Sequence, residues 1–322
     1  MQLRSVAGRV LRRIALFVAS LAVASVLIFV VCAALPGDLA QVVLGQNASP
    51  EALTELRRTL GLDRPLLLRY LDWVGSMLTG DLGTSYLSRL PVASQIAGRL
   101  GVTAWLVLFA MLLAVVVAVP VGLLAAVRSR SASGLVISAL SQLGLAVPAF
   151  WAGILAVSLF AVTLGWLPAN GYVALTRDPV QWASHLVLPV VSLAVVQASV
   201  LVRYVRSAIL DVLSEDYLRT ARAVGHTRMG ALVRHGLRNA ALSVVTVVGL
   251  QLATLLVGAI VIEQVFALPG LGQLLLSAVA QRDLVVVQGT VMVLVLAVLL
   301  INALVDLSYL ALDPRLRTGA GR

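Results

Sequence analysis

Six long apolar runs dominate this chain and leave few folds open to it. They cover roughly Ile14–Leu35, Val102–Val127, Leu135–Leu164, Leu186–Tyr204, Ala240–Phe266 and Leu284–Leu312. A hydrocarbon core about 30 Å thick takes about 20 apolar residues of helix, and each run reaches that length. Only 12% of the residues are charged, where a soluble domain carries about a quarter, so lipid must cover much of the surface. The expectation is an all-α integral membrane protein with six transmembrane helices. The third and fifth runs are long enough to cross at a tilt. Pro120, Pro148 and Pro189 lie within or at the edge of runs. Proline there frees a carbonyl and kinks the helix, which neighbouring helices tolerate.

The net charge of +10 follows from topology. With the N-terminus placed in the cytoplasm, the inside segments hold sixteen arginines against four acids, whereas the outside segments hold eight of each. That asymmetry is what the positive-inside rule requires, it puts both termini in the cytoplasm, and it leaves no need for a nucleic-acid partner. Arg4, Arg9, Arg12 and Arg13 before the first run give it the look of a signal peptide. Its apolar length exceeds a secretory h-region and no small-x-small cleavage site follows, so it reads as an uncleaved anchor. Cys32 stands alone after Val31 and offers neither a disulfide nor a lipoprotein site. His185, His226 and His235 are scattered at run boundaries and define no metal site. All 24 basic residues are arginine. Without lysine there is no GxxxxGK[ST] phosphate loop and no Schiff-base chemistry.

Two connecting segments are too large to be mere links. The chain divides into 1–35 (N-terminus and first span), 36–101 (an external helical insert), 102–210 (spans two to four), 211–239 (an internal loop) and 240–322 (spans five and six with the C-terminus). In the insert, Ser49-Pro50-Glu51 has the form of a helix start, with Gly61 as its stop. An amphipathic stretch follows Pro65, with Leu66, Leu67, Tyr70, Leu71, Val74 and Leu78 on one face. The insert reads as a helical cap over the outer mouth or as a dock for an external partner. In the internal loop, Leu213, Tyr217, Ala221 and Val224 recur at helical spacing, Gly225 is placed to end that helix, and a second short helix starts near Thr227 with Leu232 and Val233 as anchors. Such a pair either rests on the anionic inner leaflet or plugs into a groove on a cytoplasmic partner.

Asp216-Tyr217, Arg219-Thr220-Ala221-Arg222-Ala223, Gly225, then Arg234-His235 and Leu237-Arg238-Asn239-Ala240 resemble the cytoplasmic loop of bacterial ABC importer permeases, in the dipeptide/oligopeptide branch. Other segments agree in order: Leu35-Pro36-Gly37-Asp38, Leu60-Gly61-Leu62-Asp63-Arg64-Pro65, Gly80-Asp81-Leu82-Gly83-Thr84-Ser85, Pro269-Gly270-Leu271-Gly272 and Leu312-Asp313-Pro314-Arg315. Leu39, Ser243 and Ala267-Leu268 depart from the family pattern. The resemblance covers nearly the whole chain and is to the permease subunit with the large external insert.

It implies a type I importer permease fold in a bacterial inner membrane. It implies assembly with a second homologous permease, two cytoplasmic ATPase domains and an extracytoplasmic substrate-binding protein. ATP and magnesium would then sit on the partner subunits, and this chain would bind no cofactor and catalyse nothing. The resemblance gives Asp216, Tyr217, Arg219, Thr220, Ala221, Arg222, Ala223, Gly225, His235 and Leu237 the task of coupling to the ATPase. Glu263, Phe266, Pro148 and Phe150 are candidates for the pathway or its gate. An acid within a span is functional by default, although Glu263 placed near Arg282 can equally be a structural partner. Asp306 is expected to pair with an arginine such as Arg203. The branch carries di- and oligopeptides, and relatives carry nickel, glutathione, heme or sugars. A self-sufficient secondary transporter and a channel are the rival readings. The first would show paired broken helices in repeated halves, the second a ring of pore residues, and neither signature is present.

Overall fold

The computed structural model describes residues 2–34, 41, 44, 45, 48–59 and 61–312, with side chains described except at 2–7, 9, 10, 228, 238, 242 and 306–312. Leu35–Asp38, Leu39 and Asp313–Arg315 lie outside the described residues. The described chain is helical, with a single isolated antiparallel bridge between Thr84 and Pro91. The helices are α1 (Gln2–Ala34), α2 (Pro50–Thr59), α3 (Leu66–Leu78), α4 (Val92–Val127), α5 (Ala132–Ala146), α6 (Ala149–Ala156), α7 (Pro179–Ser214), α8 (Asp216–Ala223), α9 (Arg228–Ala231), α10 (Leu237–Val265), α11 (Leu271–Ala280) and α12 (Leu284–Leu312). Five helices are long and apolar enough to cross a membrane, and a sixth span results if α5 and α6 count as one. That bent pair carries the kink expected of Pro148 as far as a break in the third span. α5 and α6 meet at 96°. The cause is local: Pro148 lacks an N–H, and the residue before a proline is driven out of the helical region, so Val147 sits at φ −88°, ψ 118°. Pro120 and Pro189, by contrast, lie inside uninterrupted α4 and α7.

The chain forms two compact units, Met1–Thr103 with Pro269–Leu300, and Ala104–Leu268 with Ile301–Arg322. In the first, Ser49 caps α2 as expected, its hydroxyl accepting from the Ala52 N–H at 3.2 Å. Gly61 ends that turn at φ +65°. α3 packs on α1 through aromatic rings, Phe29 lying 5.5 Å from Tyr70 and 5.8 Å from Trp73. Of the apolar face expected here, Tyr70 and Val74 are half-buried beside Trp73 and Met77, whereas Leu66, Leu67, Leu71 and Leu78 are exposed. Residues 83–92 fold back on themselves, the Val92 N–H donating to the Gly83 carbonyl at 2.9 Å. Inside that turn the Ser85 hydroxyl donates to the Asp283 carboxylate, both groups being buried. The Thr103 hydroxyl accepts from the Leu271 N–H at 2.8 Å and so caps α11. Val92, Ile96, Leu271, Leu274, Val286 and Val287 form the core around these contacts.

In the second unit α7 is the hub and packs against α5, α6 and α10. Small residues allow close approach, as is usual where lipid cannot drive helices together. A Cβ on Gly122 would stand 2.7 Å from Val205, and one on Gly144 would collide with Ser199. Beyond α6 the backbone widens into a π turn, Val157–Thr163. At the other end of α7 the apolar cluster of Ala126, Val205, Ile209, Val212, Leu218, Ala231, Leu232 and Ala240 seats the loop that follows.

Candidate functional site

The Asp211–Asn239 loop is built from three short pieces. α7 runs on to Ser214, so its last turn lies within the segment expected to be loop. Glu215 is extended, and α8 begins at Asp216, whose carboxylate stands in the first turn where the helix dipole favours an anion. Arg219 pairs with Asp216 at 3.0 Å, but both side chains are largely exposed, so the pair contributes little. α8 ends in a complete Schellman cap: the Gly225 N–H donates to the Arg222 carbonyl at 3.0 Å, and the His226 N–H to the Ala221 carbonyl at 3.2 Å. Gly225 takes φ +101°. Nothing lies within 4 Å of where its Cβ would be, so only backbone preference demands glycine there. The Thr227 hydroxyl then starts α9, accepting from the Gly230 N–H at 3.1 Å. α9 widens into a π turn over Leu232–Gly236 and continues into α10.

The anchors differ in part from those expected. Leu232 is buried as expected and Leu218 is buried beside it, whereas Val224 and Val233 are exposed and Tyr217 is partly exposed. The break at Ser214–Glu215 resets the helical phase, so a periodicity read through it from Leu213 keeps Ala221, which packs on the cluster, but takes Tyr217 in place of Leu218. Gly236, which carries no sequence signal, lets the anchors meet: a Cβ there would lie 2.7 Å from Leu232 and 2.8 Å from Val212. The Asn239 amide donates to the Tyr217 hydroxyl at 3.0 Å and ties α8 to the first turn of α10. His226 and His235 face each other with ring centroids 6.0 Å apart. Asp216, Arg219, Thr220, Arg222, Ala223 and Gly225 all present to the surface, while Ala221 and Leu237 are half-buried. Arg130, Arg219 and Arg222 line a hollow of about 410 Å³ above Leu218.

The family model for the inner membrane component of binding-protein-dependent transport systems matches residues 118–318. A companion model for the N-terminal part of such components matches residues 7–107. The chain belongs to this permease family. A Brucella abortus protein carrying the name of a peptide transport system permease is 42% identical over 308 residues, 96% of this chain and 98% of the relative. The glutathione transport system permease protein GsiC of Salmonella typhimurium is 42% identical over 309 residues, again 96% of this chain and 98% of the relative. Among solved structures, the MetNI methionine ABC transporter in inward-facing conformations aligns with a TM-score of 0.58 at 21% identity, over 68% of this chain and 96% of that one. The last likeness shows the ABC importer permease fold.

The permease's other singled-out residues fall into two groups. Glu263 and Phe266 are both buried where α10 ends. Phe266 lies against α6, its ring 3.1 Å from a Cβ placed on Gly153, and its carbonyl accepts from the Gly171 N–H at 2.9 Å. α6 therefore meets Phe266 through Gly153; Phe150 is partly exposed and Pro148 serves as the break before α6. Arg203 places its guanidinium over the Tyr204 ring, 5.2 Å from the centroid. The Asp306 side chain, its expected partner, lies outside the described residues. Gln197, midway along α7, is a polar group the sequence reading passed over. It is buried, and its Oε1 accepts no hydrogen bond among the described residues. One amide in an otherwise apolar run carries no periodic signal.

Proposed function

We propose that this permease forms one half of the translocation pathway of an ATP-driven importer of short peptides. A second homologous permease supplies the other half, an extracytoplasmic protein delivers the cargo, and two ATPase domains on other chains supply the energy. The loop seated on Leu218 and Leu232 carries this reading. It presents a short, rigidly capped helix with a basic exposed face, the form of element that docks into a groove on a partner. In this reading Asp216, Tyr217, Arg219, Thr220, Ala221, Arg222, Ala223, Gly225, His235 and Leu237 make or support the ATPase contact. Both termini and this loop are cytoplasmic, in line with the arginine asymmetry. Glu263 and Phe266 border the pathway, as does the Gln197 amide, whose unpartnered oxygen in a span is costly unless cargo or a partner meets it.

Relatives named for peptide and for glutathione transport support a peptide-like cargo, glutathione being itself a modified tripeptide. Reconstitution tests the assignment. Proteoliposomes holding the full complex are expected to take up peptide in an ATP-dependent manner and to lose uptake when the ATPase subunits are omitted. Uptake by this chain alone would establish a self-sufficient transporter instead. Identifying what the purified binding protein carries decides between peptide, glutathione, nickel, heme and sugar.

A further inference from the structure

α3 has three distinct flanks. Tyr70, Trp73 and Met77, at i, i+3 and i+7, are half-buried, and the two aromatic rings lie against Phe29 of α1. Arg69, Asp72 and Ser76 repeat the same spacing one position earlier and line a cleft of about 430 Å³ together with Arg64 and Asp81. The third flank is Leu67, Leu71 and Leu78, exposed at 67%, 54% and 84%. A simple amphipathic cap would need only two flanks, one to the protein and one to water. The leucine flank needs a third medium.

Depth identifies that medium. From Ile14, the first residue after Arg12 and Arg13, about 20 residues at 1.5 Å each cross a core of about 30 Å and reach Ala33. Phe29 then sits about 6 Å below that boundary, and Ser25 about 12 Å below it. Tyr70 reaches into this zone, its hydroxyl 2.9 Å from that of Ser25. Helices that lie in a membrane interface bury their apolar face about 5–10 Å into the headgroup and acyl boundary, which matches the level of Phe29. On its other sides α1 is bare and apolar at this height, at Leu27, Val30 and Val31. The leucine flank therefore stands at a level where the neighbouring span also presents apolar side chains outward.

We propose that α3 is an interfacial helix immersed in the outer leaflet, with Leu67, Leu71 and Leu78 among acyl chains, Tyr70 and Trp73 keyed to α1, and Arg69, Asp72 and Ser76 facing an aqueous cleft. The inference rests on the membrane-spanning reading of α1. The external insert is then tethered to the bilayer by its own helix, which holds the cleft at a fixed height above the span.

The test uses the complete complex in phosphatidylethanolamine–phosphatidylglycerol vesicles, with Cys32 and the partners' cysteines replaced. A nitroxide is attached at Leu67→Cys or Leu71→Cys, with Leu78→Cys as a third site on the same flank should either variant fail to assemble. Ser76→Cys reports the cleft and Leu27→Cys reports the span. Collision with dissolved oxygen is compared with collision with a water-soluble nickel chelate. The leucine-flank sites are expected to show an oxygen-to-nickel ratio severalfold above that at Ser76→Cys and close to that at Leu27→Cys. Nickel-dominated collision at the leucine sites alone overturns the proposal in favour of a water-exposed cap. Protection from both reagents overturns it in favour of a protein partner covering the flank. Nickel access at Leu27→Cys as well would instead mean that α1 is not a span.

Discussion

Two helix ends in this permease make the same pair of hydrogen bonds from opposite starting points. α8 ends on Gly225, with bonds from Gly225 to Arg222 and from His226 to Ala221. α10 ends on Ala267, with bonds from Ala267 to Gln264 at 3.4 Å and from Leu268 to Glu263 at 2.9 Å. Both residues at the turn are left-handed, at φ +101° and +50°. Glycine adopts that conformation freely, whereas alanine pays roughly 1–2 kcal/mol. The surroundings account for the difference. Gly225 is exposed, with nothing near its Cβ position, so its own backbone freedom holds the turn. Ala267 is flanked by Phe266 and Leu268, both buried, and Phe266 is held by α6 and by the Gly171 N–H. One turn is specified by its residue and the other is imposed by packing. The first suits an exposed loop that must keep its shape without support from neighbours, and the second suits a site locked within its own unit.

If packing holds the Ala267 turn, Phe266→Ala should have the largest effect, about 3–5 kcal/mol from cavity formation. It would appear as a lowered thermal unfolding midpoint of the purified complex, and an unchanged midpoint would remove the contrast. Leu232→Ala should cost about 2–5 kcal/mol by the same mechanism. Its signature would be early proteolysis within 211–239 while the spans stay protected. Gly225→Val should strain the α8 turn by roughly 1–2 kcal/mol. Protein is expected in the membrane at normal levels, hydrolysing ATP with at least a severalfold loss of peptide uptake per ATP. Gly225→Asn, which tolerates left-handed backbone, should restore most of the coupling; equal failure of both variants would mean that something other than backbone conformation selects glycine. Ala267→Gly should be the mildest, within about 1 kcal/mol of the parent, because relief of strain is offset by the entropy glycine loses on folding. A large gain in midpoint there would show the turn to be strained beyond what its packing supports.

Legibility varied with how local the cause was. The spans, the Ser49 cap, the stop at Gly61 and the turn at Gly225 could be read because each depends on a run of apolar residues or on one residue's backbone preference. The faces of short helices could not. α3 turned its aromatic flank to α1 rather than its leucines, since ring contacts with Phe29 outweighed a plain count of apolar side chains. In α8 the one-residue shift from Tyr217 to Leu218 followed from the break at Glu215, and a periodicity carried across that break cannot register it. Pro148 announced a kink, but Pro120 and Pro189 carried the same signal inside uninterrupted helices. Val147 leaves the helical region before Pro148, whereas α4 and α7 run on through Pro120 and Pro189, so the proline by itself does not announce which outcome follows.

From its sequence alone, this protein was committed to crossing a membrane as a bundle of helices and to lacking a phosphate-binding loop, because hydropathy, charge and the absence of lysine act residue by residue. Its sequence also marked the exposed loop around Gly225. Tertiary structure alone decided that Leu218 and Gly236 join Leu232 in seating that loop, that Ser85 reaches Asp283, and that Ala267 takes a glycine's conformation. Those choices depend on which surfaces meet across long stretches of chain, and the free energy of such meetings is not encoded at any single position.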